Sequence, residues 1–197
     1  MGRKSKADVR KKEILEHFYI ILKDEGFENA SIAKIANLMD VNPSLLIHYF
    51  KTKDEMVVAF VKFLLGRYEE TFKEKMFNSE DPQERFSNTL DIMFSEDWLN
   101  FSDQTVFYAC YYLSSRNIRI KELFQEMYNK FKQLLIPEAV SWIEAGIVKD
   151  IEPENVADYL IIVNEGLTYF DKLMSDPEGF KRRAKFLKEA VIKTLTT

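Results

Sequence analysis

The sequence predicts an all-α fold, and three observations carry that reading. Glycine and proline are scarce, six and five among 197 residues, and stand singly in stretches rich in Glu, Lys, Leu, Ile and Phe, which favours helices over a many-stranded sheet. Four of the five prolines follow a residue read as a helix cap, at Asn42-Pro43, Asp81-Pro82, Glu152-Pro153 and Asp176-Pro177. Proline suits the first helical turn because its missing N–H would have no intrahelical partner there. Between these starts apolar residues recur every three or four positions, which leaves each segment one face for a core.

The elements follow in order. A first helix is expected from about Asp8 to Asp24, with Ile14, Phe18 and Ile21 or Leu22 inward, and Gly26 ends it because glycine alone takes up a left-handed conformation without strain. A short helix starts at Ser31 with Ile32, Ile35 and Ala36 inward. Met39, Asp40 and Val41 form a tight connection, and Asn42 caps a third short helix ending near Phe50. A fourth starts at the capping box Thr52-x-x-Glu55 and runs to about Phe77, roughly 37 Å. Five more are expected at about 82–94, 103–114, 118–146, 153–174 and 177–195, with Pro137 kinking the longest.

Composition narrows the function. One cysteine, Cys110, cannot form an internal disulfide, and no thiols or histidines stand at metal-site spacing, so no metal or cofactor is expected and the compartment is read as reducing, hence cytoplasmic. The basic start is followed by an amphipathic segment and not by a signal-peptide core, and no run of about 18 apolar residues occurs, so no membrane partner is expected. Both histidines, His17 and His48, lie in the first quarter of the chain, and there is no glycine-rich phosphate loop or Glu-x-x-His pair, so an enzyme has no visible site. The formal charge of -4 is unevenly spread. Arg3, Lys4, Lys6, Arg10, Lys11 and Lys12 face one acid, Asp8, whereas the chain beyond about residue 56 is acidic. A basic end on an acidic body suggests local contact with a polyanion, although by charge alone the arm is equally a solvated tail.

Two short helices joined by three or four residues, the second opened by Asn-Pro, have the dimensions of a helix-turn-helix. The run from Ser31 to Met56 strongly resembles the TetR family signature. Ile35-Ala36 matches its "IA" pair, Val41 its buried turn residue, and Tyr49-Phe50-Lys51-Thr52-Lys53 its terminal "YF.sK" block. His48-Tyr49-Phe50 looks most like the branch with betaine-responsive regulators and multidrug-responsive repressors. Close likeness covers about residues 10–56, and the remainder matches in length and helix pattern.

That resemblance implies a three-helix DNA-binding module (residues 1–52) continuous with a larger helical domain (53–197) for effector binding and dimerisation, about nine helices in all. It implies a dimeric repressor on a palindromic operator, released when an unidentified small molecule, hydrophobic or cationic, changes the separation of its two recognition helices. DNA contacts are expected from Arg3, Lys4 and Lys6 in the arm, Ser31 and Lys34 in the second helix, and Asn42, Pro43, Ser44, Leu45, His48 and Tyr49 in the third, with Lys53 at the next phosphate. Compact side chains at the start of the third helix would let the backbone approach base edges in the major groove. Phe50 is read as core. A glycine or small residue is usual in the family where Ser44 stands, and tyrosine where Ile47 stands, so at Ile47 a common phosphate contact is missing and any DNA role is apolar, against a thymine methyl.

In the last third, Val156, Leu160, Val163, Leu167, Phe170 and Met174 form a seam at steps of four and three, and Tyr159, Ile162, Gly166, Tyr169 and Leu173 form a neighbouring apolar face. Phe180, Ala184, Leu187, Val191 and Leu195 make a stripe on the final helix. The resemblance places dimerisation on these two helices, through Val156, Leu160, Val163, Leu167, Phe170, Phe180, Ala184, Leu187 and Val191; the alternative is that both stripes are intramolecular core. The aromatic-rich middle suggests an effector cavity lined by Tyr108, Tyr111, Tyr112, Tyr128, Trp142, Asn164, Glu165 and Tyr169, with Glu165 favouring a cationic or hydrogen-bonding ligand. Two further readings stay open: a DNA-binding architectural or division-associated protein of the same fold that answers to no ligand, and an activator.

Overall fold

A computed structural model of the chain describes residues 6–76, 79–96, 98 and 104–196, with the backbone alone at 69 and 71–76. Arg3 and Lys4 lie outside the described residues. Among those described, the structure is all-α with nine helices: α1 (Lys6–Asn29), α2 (Ile32–Leu38), α3 (Pro43–Tyr49), α4 (Lys53–Met76), α5 (Pro82–Met93), α6 (Gln104–Ser114), α7 (Ile118–Glu144), α8 (Pro153–Met174) and α9 (Pro177–Thr196). They form two compact units, Met1–Arg67 with Asp103–Glu126 and Tyr68–Ser102 with Met127–Thr197. The grouping differs from a boundary at 52/53 because α6 packs on α1.

The first unit is organised by the inner face of α1. Ile14, Leu15, Phe18, Ile21 and Leu22 are buried, with Ile35 and Ala36 of α2, Leu46 of α3, Phe50 and Phe60. Phe60 is fully buried and edge-on to Phe18 at 5.0 Å and to Phe27 at 6.5 Å, with Tyr19 stacked at 6.3 Å. The α1 chain path breaks where glycine was expected to end it. Gly26 has φ 74 and ψ 175, a conformation open almost only to glycine, and one further helical turn carries the segment to Asn29. That turn brings Phe27 back to within 6.2 Å of Phe18.

Caps were legible in most cases. The Ser31 hydroxyl accepts the Lys34 N–H at 3.3 Å and the Asn42 carbonyl oxygen accepts the Ser44 N–H at 2.9 Å. Thr52 accepts from the Glu55 N–H at 3.1 Å, while the Glu55 carboxylate accepts from Lys51 N–H at 3.0 Å, one residue before the position a capping box predicts. Asp81 caps α5 at 3.0 Å and Asp176 accepts from the Gly179 N–H at 3.0 Å. Glu152 makes no side-chain cap, so Pro153 starts α8 without one. The helix expected to kink at Pro137 is a single element, α7.

The second unit is held partly by polar groups. Arg85 Nε donates to Glu138 at 2.6 Å and Nη2 to Ser141 at 2.9 Å, while Nη1 reaches the Ser79 and Glu80 carbonyls at 3.2 and 2.8 Å, binding α5 and the turn before it to α7. Arg85 and Glu138 side chains are only 16% and 17% exposed, so removing one partner strands the other charge away from water. Arg85→Ala is expected to lower the unfolding free energy by about 3 kcal/mol, read as a lower midpoint in urea; an unchanged midpoint would make the network incidental.

Candidate nucleic-acid interface

Three short steps place α3. Ser31 starts α2, and Asp40 turns the chain with φ 51, a left-handed value that aspartate tolerates better than most residues. The Val41 N–H then closes on the Ala36 carbonyl at 3.0 Å, and Asn42-Pro43 opens α3. Leu46 and Phe50 point inward and are buried, so the opposite face is presented to solvent by geometry alone. Asn42, Pro43, Ser44, Ile47 and His48 are exposed there, and Leu45 and Tyr49 are half-buried. The His48 ring meets Tyr49 edge-on at 5.3 Å.

The cations expected at DNA are differently engaged. Lys6 is exposed at the start of α1. Lys34 is exposed but ion-paired with Glu25, an acid that sequence reading did not single out and that must release Lys34 before the ammonium can meet a phosphate. Lys53 donates to the backbone carbonyls of Ala30 at 2.9 Å and Phe27 at 3.3 Å, so it braces the turn between α1 and α2. Ser31 is half-buried with its hydroxyl engaged in capping. Arg67 lies over the rings of Tyr19 and Phe63 at 5.7 and 5.9 Å, a cation-π brace between α1 and α4.

The eight residues expected to line an effector cavity divide between the units. In the first, Tyr108 is half-buried and edge-on to Phe107 at 5.5 Å; Tyr111 and Tyr112 are 53% and 59% exposed, Tyr111 against Phe124 and Tyr112 beneath Arg116. In the second, Tyr169 is 55% exposed, whereas Trp142 is fully buried edge-on to Phe86 at 5.2 Å, its indole N–H without a hydrogen-bond partner among the described residues. Asn164 is buried and donates to the Met93 carbonyl, satisfying one of the free acceptors at the end of α5. Glu165 is half-buried; burial pushes its carboxyl above the usual carboxylate range, and a hydrogen bond with Tyr128 opposes the shift. Burial also pushes the Cys110 thiol up to about 12, which leaves it inert at neutral pH.

A carboxyl raised on folding makes the folded chain bind more protons than the unfolded one between the ordinary and the raised value, so stability falls as pH climbs through that window. The penalty is absent in acid and complete above the raised value. Glu165→Gln is therefore expected to raise the thermal midpoint at neutral pH and to lose that advantage below the ordinary carboxylate range; a gain independent of pH would point to packing instead.

The apolar stripes of α8 and α9 differ in how far they are covered within the chain. Val156, Leu160, Leu167, Phe180, Ala184 and Val191 are buried within the second unit, where α8 and α9 pack on each other. Val163 and Leu187 are half-buried and Phe170 is 45% exposed. The apolar surface left outside is the neighbouring face of α8, with Ile162, Tyr169 and Leu173 at 68%, 55% and 62% exposure, joined by Phe186 of α9 at 67%. Between the two helices lies an open groove of about 460 Å³ lined by Val163, Gly166, Leu167, Phe170, Arg183, Phe186 and Leu187. Phe186 escaped the sequence reading because it lies among Lys185, Lys188 and Glu189, off the inward stripe.

Comparison with known proteins agrees with this geometry. Residues 20–60 match the family described as bacterial regulatory proteins, tetR family, and residues 81–197 match the tetracyclin repressor-like C-terminal domain. The chain belongs to the TetR family. The HTH-type transcriptional regulator BetI of Rhizobium meliloti strain 1021 is 27% identical over 117 residues, 58% of this chain and 57% of that protein, so the match spans little more than half of its length. A TetR transcription regulator from Haloarcula marismortui ATCC 43049 superposes with a TM-score of 0.82 at 18% identity, over 95% of this chain and 98% of that one. A transcriptional regulator from Saccharomonospora viridis, solved in complex with choline, superposes with a TM-score of 0.76 at 16% identity, over 92% and 96%. At those identities the likeness is one of fold. No helix among the described residues is long and apolar enough to cross a membrane.

Proposed function

We propose that the chain is a transcriptional repressor that binds a palindromic DNA operator as a homodimer and is released by a small-molecule effector. The observation that carries this reading is the outward face of α3: Asn42, Pro43, Ser44, Ile47 and His48 are compact and exposed on a short helix whose opposite face, Leu46 and Phe50, is locked in the core. In this reading residues 1–52 meet DNA, with Lys6, Lys34 and Tyr49 on backbone phosphates, and residues 53–197 carry effector binding and dimerisation. Two copies pair through the outward face of α8 and through Phe186, each presenting the same patch to the other. Two-fold pairing of this kind reads an inverted repeat.

The effector class follows from Glu165. A carboxyl held partly out of water favours a ligand that brings a positive charge, and Tyr128 beside it adds an aromatic face. A small quaternary amine fits both features, and the choline bound by the Saccharomonospora viridis regulator is of that class. Selection of bound duplexes from random DNA tests the central claim. An inverted repeat should emerge, with half-sites about one helical turn apart; no preference among duplexes at moderate ionic strength overturns it.

A further inference from the structure

The outward face of α3 has an unusual inventory for a helix that reads bases. The helix PSLLIHY contains no Arg, Lys, Asn or Gln, the side chains that form paired hydrogen bonds with guanine or adenine in the major groove. Asn42 precedes it, but its side-chain oxygen already accepts the Ser44 N–H at 2.9 Å, so any paired bonding to an adenine edge has to be made from an amide whose orientation the cap fixes. Ser44 can donate or accept and therefore tolerates several bases. His48 offers a single ring nitrogen at a time to any one edge. Hydrogen bonding from this helix is thus a weak discriminator.

What the face does hold is Ile47, three residues after Ser44 and four after Pro43, hence on the same side, and 52% exposed. Its neighbours on that side are small enough to let the branched side chain reach the floor of a groove. There only thymine offers an apolar group, its C5-methyl; cytosine has none, and purine edges present polar atoms that an isoleucine would strip of water and leave unbonded.

We propose that Ile47 is the main specificity determinant of the half-site and that it selects thymine by packing on the thymine methyl. The proposal rests on the DNA-binding reading above and adds to it the chemistry of the base that is read. Each half-site then holds one thymine whose methyl carries binding energy, and the operator is A·T-bearing at that step in both arms.

Uracil is the probe, because it pairs with adenine as thymine does and lacks only the methyl. Once bound sequences are selected, each thymine of the consensus duplex is replaced in turn by uracil, and affinity is measured by fluorescence anisotropy for the full-length protein and for Ile47→Ala. The side chain is more than half in solvent, so the variant should keep the parent melting curve, checked by circular dichroism. One uracil position per half-site is expected to weaken the parent about four-fold, the factor for losing one buried methyl, and Ile47→Ala should bind both duplexes equally. If no uracil matters, or if Ile47→Ala keeps the full preference for thymine, the assignment of Ile47 is wrong while the regulator reading stands. If selection returns no sequence at all, the regulator reading itself fails and this assignment with it.

Discussion

A chain carrying Ile162→Asp and Phe186→Asp is expected to sediment as a folded monomer where the parent sediments as a dimer. Both side chains are about two-thirds exposed, so two carboxylates there leave the interior of the second unit intact. In an isologous pair each would instead face its mate's apolar surface, where an unpaired charge is strongly disfavoured. The effect on DNA should be larger than that on mass. One head bound to a half-site holds the other at high local concentration beside the second, and uncoupling them removes that advantage, about a hundred-fold or more in operator affinity. A dimer that survives the double substitution would move the pairing surface elsewhere.

Phe60→Ala should produce the largest loss of stability. Phe60 is fully buried where α1 and α4 meet, in ring contact with Phe18, Tyr19, Phe27 and Phe63. Deleting such a ring removes its burial and leaves a cavity, together about 3–5 kcal/mol. For a chain of this size that lowers the thermal midpoint by roughly 10 °C, and Phe60→Leu, which refills most of the space, should recover over half of it. Phe27 is positioned by the same rings and lies in the turn whose carbonyls hold Lys53, so operator binding should weaken too. A midpoint that hardly moves would mean the aromatic cluster repacks and is not the anchor of the first unit.

Helix order was readable because proline, caps and apolar spacing are local signals. The Asn42-Pro43 start of α3 and the break at Gly26 each depend on one residue's own backbone preferences. The surface of α8 was harder. A helix with two apolar faces shows in the sequence, but which face turns inward depends on what α8 meets within the chain, and spacing does not encode that. The stripe Val156–Leu160–Leu167 went inward and left Ile162 and Leu173 outside. The lysines illustrate the same limit on the DNA side. Residue type and position suggested phosphate for Lys34 and Lys53, but Glu25 and the carbonyls of Phe27 and Ala30 lie many residues away in sequence, and only folding brings them within reach.

The bracing of the α1–α2 turn by Lys53 bears on how the DNA face should be counted. A salt titration registers only cations that displace ions from the duplex when the complex forms. An ammonium already tied to two peptide oxygens enters that exchange poorly, so the slope will tally fewer charges than a census of lysines and arginines on this face suggests. The shortfall would mark a side chain that keeps the reading head in shape before it ever meets the polyanion.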